Sequence, residues 1–224
     1  MSIKVGTGML WGMRIVKSWL LCGIVPCVLL GLAGGCATRP DERGRLVVLK
    51  QLIESGAGVN AASQDGWTPL MFAAADGDAD MVCYLLDRGA TIDARTMNGT
   101  TALMTAIARG QKAAATVLLD RGADINARRV DGVTPLMMAV FYDAVDFVWI
   151  LAERGADINA RDEKGSTALM RAAWSGNLGM VILLVDKGAD VNLRDKKGIT
   201  AQAEARRRGH AEVDGFLGRR GAQK

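Results

Sequence analysis

Side chains able to do nucleophilic, acid–base or metal chemistry are scarce in this chain of 224 residues, which holds one histidine, His210, and four cysteines, Cys22, Cys27, Cys36 and Cys83. One histidine and one thiol beyond residue 36 cannot assemble a zinc site of the common Cys/His types. The acids of Asp76-Gly77-Asp78-Ala79-Asp80 have the look of an oxygen-ligand calcium loop, but the spacing lacks the terminal bidentate Glu, so they read as solvated turn acids. No phosphate-cradling glycine motif and no Gly-x-Ser-x-Gly occurs. Cys83 falls in an apolar helical stretch with no cluster of charges beside it in sequence, which marks a structural thiol. The expectation is a protein with no catalytic residue, no metal, no cofactor and no small-molecule substrate. An enzyme built on carboxylates in a groove stands as the least favoured alternative.

The elements that would position any site repeat with a fixed period. Gly66, Gly99, Gly132, Gly165 and Gly198 recur every 33 residues, each followed two positions later by Thr. A second series, Gly56, Gly89, Gly122, Gly155, Gly188 and Gly221, runs in phase, each followed by Ala and all but the first preceded by a basic residue. Within one unit, Thr68 is placed to N-cap a short helix with Pro69 at its first position, where a missing N–H costs nothing. Ala73 and Ala74 let neighbouring helices approach closely. Val82, Leu85 and Leu86 then form the apolar stripe of a second helix that Gly89 ends.

The segments TPLMFAA, TALMTAI, TPLMMAV and TALMRAA, closing with GATIDA, GADINA, GADINA and GADVNL, resemble the ankyrin repeat. The resemblance implies an all-α solenoid of 33-residue helix-turn-helix units with loop/β-turn fingers. Full repeats are expected at 63–95, 96–128, 129–161 and 162–194, between an N-terminal half-repeat at 44–62 and a C-terminal capping repeat at 195–224. Leu46, Leu49, Leu52 and Ile53 supply the half-repeat's single helix, and Gln202, Arg206 and Asp214 make the last unit polar where earlier units are apolar or small. Two departures from the family pattern are regular or local. Met71, Met104, Met137 and Met170 replace the His usual after Thr-Pro-Leu, trading a polar tie for an adaptable thioether. Asp143 stands where Gly77, Gly110 and Gly176 turn between helices, and distortion without breakage is expected there. His210, in Gly209-His210, resembles the family's helix-connecting pair and reads as structural.

The first 35 residues differ in kind. Lys4, Arg14 and Lys17 precede an apolar run from Trp19 to Leu32, followed by Leu32-Ala33-Gly34-Gly35-Cys36. This resembles a bacterial lipoprotein signal, which implies Cys36 as the lipidated first residue of the mature chain and 36–43 as a linker; Met13 offers a second start with ordinary signal proportions. Two other readings stay open, an uncleaved anchor, since residues 18–38 carry no charged side chain, and a cleaved, soluble export. All three place the repeats outside the cytoplasm, because the positive flank stays in. Ala37 lacks the Asp-type inner-membrane signal, so the resemblance implies an outer-membrane lipoprotein facing the periplasm.

Charge follows the same partition. The formal net charge of +4 falls to +1 after Cys36, 25 basic against 24 acidic side chains, because all three charged residues before it are basic. Basicity is therefore a targeting feature and gives no reason to expect nucleic acid. With Cys83 alone in the repeats no disulfide framework is available, and stability must come from stacking.

The expected function is binding of another protein. An adaptor or scaffold of the envelope is favoured over a neutraliser of a toxin or hydrolase. Phe141, Tyr142 and Trp174 fall on the inner groove in consecutive repeats, with Trp67 further along the same surface, and are candidate aromatic anchors. Arg95, Arg128, Arg161 and Arg194 are expected as a loop-tip ladder with rungs about 10 Å apart, open to an acidic partner or anionic head groups, although Asp162 and Glu163 beside one rung favour plain solvation, and the run Arg206-Arg207-Arg208 of the polar cap reads as solvated in the same way.

Overall fold

The computed structural model describes residues 53–54 and 58–221. The leader, Cys36, the linker and Leu46, Leu49 and Leu52 of the half-repeat lie outside the described residues. Between residues 58 and 221 the chain forms ten helices in five hairpins: α1 (Pro69–Asp76) with α2 (Ala79–Asp87), α3 (Ala102–Ala108) with α4 (Lys112–Asp120), α5 (Pro135–Phe141) with α6 (Val145–Glu153), α7 (Ala168–Ser175) with α8 (Leu178–Asp186), and α9 (Ala201–Arg208) with α10 (Ala211–Gly221). No strand occurs among the described residues. The chain is thus an all-α solenoid, in which first helices stack on first helices and second on second.

Each first helix begins the same way. The hydroxyls of Thr68, Thr101, Thr134, Thr167 and Thr200 accept from the N–H of the residue three positions on, at 3.2–3.4 Å. In four of the five that N–H belongs to a methionine, and all four methionine side chains are buried, so the thioether fills core space beneath a cap made by threonine alone.

The core is a set of columns running through the stack. Ala73, Ala106, Ala139, Ala172 and Ala205 form one, Leu85, Leu118, Leu151, Leu184 and Leu217 another, and every member is buried. Small residues on the first helices let successive units close to contact, and leucines on the second fill the space between layers.

Between these columns, neighbouring units are tied by polar ladders. The N–H groups of Met97, Val130, Glu163 and Lys196 donate to the carbonyls of Asp65, Asn98, Asp131 and Lys164, one backbone bond per pair of fingers. Asn60, Asp93, Asn126 and Asn159 each accept the N–H of a residue 31 positions on. The basic residue before each Gly-Ala forms an ion pair with the acid that ends the previous second helix: Arg121 with Asp87, Arg154 with Asp120, Lys187 with Glu153 and Arg220 with Asp186. Arg88 reaches Glu54 in the same way, which extends the ladder to the described part of the half-repeat, where Ile53 packs on the core.

The last unit converts three core columns to polar ones, and the three replacements bond to one another. Asp214 accepts from Arg206 through Nε at 3.0 Å and Nη2 at 3.1 Å, and from Gln202 Nε2 at 2.9 Å. The Arg206 hydrogen bond first, then that of Gln202, holds the Asp214 carboxyl below its ordinary value against the opposing effect of burial. The run Arg206-Arg207-Arg208 is therefore not simply solvated as expected from sequence, since Arg207 and Arg208 also pair with the largely buried Glu204.

The columns and the cap make opposite demands on substitution. Leu118→Ala, at a fully buried site inside the stack, should cost about 2–5 kcal/mol in denaturant melts by leaving a cavity, whereas Gln202→Ala should cost well under that. Equal losses would contradict this assignment of core and cap.

The lowered Asp214 pKa fixes the sign of an acid effect. Its stabilisation is complete above the unfolded carboxyl value of about 3.9 and is lost as the pH falls through the lower folded value. The stability difference between the wild type and Asp214→Asn should therefore hold steady from neutral pH down to about pH 5 and shrink below about pH 4.

Candidate functional site

Several positions that differ between units meet at the angle between the fingers and first helices of the last units. There a cleft of about 440 Å³ is lined by Phe141 at the end of α5, by Met170, Arg171 and Trp174 on α7, and by finger residues including Lys164 and Lys197. Phe141 is 67% exposed and Trp174 51% exposed, although Ala75 and Ala108 occupy the equivalent positions in the first two repeats. Two aromatic rings are thus left in solvent where alanine serves the earlier units.

The neighbours of these rings set their orientation. Phe141 meets Tyr142 edge to face, with centroids 5.1 Å apart, while Tyr142, itself half exposed, lies outside the cleft. The Arg208 guanidinium sits 4.5 Å from the Trp174 ring centre, a cation–π contact that braces one face of the indole. The Trp174 carbonyl accepts from His210 Nε2 at 3.1 Å, so the histidine is a bracket beneath the site.

A carboxylate organises the finger wall. Asp162, whose side chain is 4% exposed, accepts the N–H groups of Lys164 and Ser166 at 2.9 and 2.8 Å and Arg171 Nη2 at 2.9 Å. The Arg171 Nε is buried without a partner. Glu204 forms the far wall and accepts from Arg207 Nη2 at 2.9 Å.

The remaining residues expected from sequence are placed differently. Trp67 lies in the column that contributes Ser166 and Ile199 to the cleft, but three units away, half-buried against the core with its centroid 5.2 Å from that of Phe72. Arg95, Arg128 and Arg161 each donate to the backbone carbonyl of the arginine one unit on, and Arg194 to the Gly198 carbonyl. The arginine ladder is therefore a stack-to-stack tie, and the structure does not bring it into the cleft. Cys36 lies outside the described residues.

The sequence reading missed Lys164, Arg171 and Lys197. The signal for them was the same 33-residue alignment read down its variable columns, where Arg171 follows Phe72, Thr105 and Met138, and Lys164 follows Asp65, Asn98 and Asp131. It also missed Trp149, 53% exposed in a shallower groove between α4 and α6. The charges there pair internally, Lys112 with Asp146 at 3.0 Å, and the Lys187 ammonium lies 5.8 Å from the Trp149 ring centre. Asp78 of the acidic turn caps α2 by accepting from the Met81 N–H at 2.9 Å, and Cys83 is a half-buried free thiol.

A family model described as ankyrin repeats (3 copies) matches residues 37–129 and 127–195, more than half of the chain. No curated protein matches the chain in sequence.

Proposed function

Because the chain belongs to the ankyrin-repeat family, a family of protein-binding scaffolds, we propose that it is a non-catalytic adaptor of the bacterial cell envelope, tethered to membrane through a lipid on Cys36 and holding its protein partner against Phe141 and Trp174. The observation that carries the binding half is the exposed aromatic pair over the cleft, at positions where the first two repeats have alanine. Aromatic anchors in such settings supply a large share of interface energy for little loss of side-chain freedom. Tyr142, packed on Phe141, extends the apolar surface beyond the cleft. The arginine column, already bonded to neighbouring carbonyls, keeps its outer N–H groups for the rim of a contact.

The tether rests on the leader: basic Lys4, Arg14 and Lys17, the apolar run from Trp19 to Leu32, and small residues before Cys36. The positive flank retained inside leaves the repeats on the far side of the membrane, in the periplasm of an organism with two membranes. One acyl chain holds a protein only marginally, whereas the multiple chains of a lipoprotein hold it stably. No described helix is long and apolar enough to cross a membrane.

Lipidation makes Cys36→Ser a direct test. The variant should accumulate as a longer, unprocessed precursor with altered fractionation; unchanged size and unchanged membrane association would favour an uncleaved anchor.

The binding half is tested by the double variant Phe141→Ala with Trp174→Ala. It should weaken cross-linking to the envelope partner by at least about 2 kcal/mol, roughly 30-fold. Only a small shift of the melting curve should accompany it, from the lost Arg208 contact on Trp174. A large stability loss with no separate loss of binding would assign the rings to the core.

A further inference from the structure

We infer that the cleft takes a partner segment in which carboxylate side chains flank an aromatic or aliphatic one. The inference rests on the proposed role of Phe141 and Trp174 and adds the chemistry of what they meet.

The charge around the cleft is unequally satisfied. Its three acids are all engaged within the protein: Asp162 by Arg171 and two backbone N–H groups, Glu204 by Arg207 and Arg208, and Asp195 by the N–H groups of Lys197 and Ile199, both at 2.8 Å. Of its bases, Arg171 and Arg207 are paired with those acids, whereas Lys164 and Lys197 are exposed and make no ion pair among the described residues. Whatever enters therefore meets net positive charge that is open to pairing, above an apolar floor of Val140, Phe141, Met170 and Trp174.

The position of that charge along the stack is informative. Lys164 and Lys197 occupy one column on adjacent fingers, about 10 Å apart by helix-packing distance. In the three preceding units the same column is Asp65, Asn98 and Asp131. The column changes sign at the unit that carries Trp174, so basic rim and exposed ring occur together. In the earlier fingers Asn98 and Asp131 accept the N–H groups of Thr100 and Val133, and in the last two Asp162 and Asp195 accept those of Ser166 and Ile199 instead; this frees the column from an acceptor role, but no internal bond among the described residues calls for a lysine there. Two cations beside an aromatic floor match a chain that presents acids on either side of a large apolar side chain. A rim of this kind favours the right partner and raises its rate of encounter. Single-stranded nucleic acid also uses rings and cations, but a net charge of only +1 after Cys36 gives none of the long-range attraction that such binding depends on.

The test is selection of a displayed random-peptide library on the full-length protein, after depletion on the Phe141→Ala, Trp174→Ala variant, with (dT)10 as a parallel probe. Recovered peptides should place Asp or Glu within about two residues of Phe, Trp, Leu or Ile. Their affinity should fall about tenfold in Lys164→Glu with Lys197→Glu and should weaken with salt, while melting is unchanged because both side chains are exposed. Recovery of basic or uncharged peptides that still need Trp174, or indifference to the lysine reversal, would overturn the inference and leave the aromatic groove standing. A library yielding nothing dependent on Phe141 and Trp174 would overturn both. Tighter, Trp174-dependent binding of (dT)10 would replace the acidic peptide with nucleic acid.

Discussion

No unit of this chain can bury its own apolar surface, so the contact between one unit and the next is the interaction on which everything else depends. A hairpin of two helices of seven to eleven residues has one wall of a core, and only the following hairpin supplies the other. That demand explains the period of the side chains. Alanine and leucine columns fill the contact, and threonine caps start each first helix at the same height. The fingers, asparagines, arginines and ion pairs then fix the offset between neighbours at four separate levels. The surface ion pairs each contribute little, and their value lies in holding register.

Close approach also dictates where glycine is required. Gly66 turns its finger at φ +81°, and a Cβ there would fall 2.9 Å from Thr96 Cα of the next finger. Between helices the same logic operates through side chains. A Cβ on Gly77 or Gly176 would meet Gln111 or His210, each of which reaches back to a carbonyl of the preceding unit. Asp143 is the exception that fits: it takes the left-handed conformation at φ 55°, and the residue reaching back, Asn177, donates to its carboxylate at 2.6 Å. The expected distortion is absorbed by a new hydrogen bond, and α5 and α6 keep their places.

A stack held this way leaves the side chains facing the angle between fingers and first helices free to vary. Ala75, Ala108, Phe141, Trp174 and Arg207 occupy one such column. Since the ladders fix the backbone beneath them, changes in this column alter the surface without moving the scaffold, and a binding site can be written there at little cost to folding. The Asp162 hub shows the complementary case, a buried carboxylate satisfied from three directions that holds the finger beside the site in place.

The sequence alone determined the architecture, because stacking makes each local rule repeat. Thr68 with Pro69, the glycine pairs and the alanine and leucine columns report the same fold five times over, and Gln202, Arg206 and Asp214 mark the unit in which core columns turn polar. Partnership was not legible in the same way. Arg95, Arg128 and Arg161 read as a free cationic row, yet their guanidinium groups reach the next unit's carbonyls. The Arg206-Arg207-Arg208 run read as solvated, yet it holds Asp214, Glu204 and the face of Trp174. Conversely, the two lysines whose charge stays open drew no attention. Periodicity fixes which column a residue occupies; whether its charge is satisfied depends on groups from three to 36 residues away, whose distance and angle only the folded stack sets.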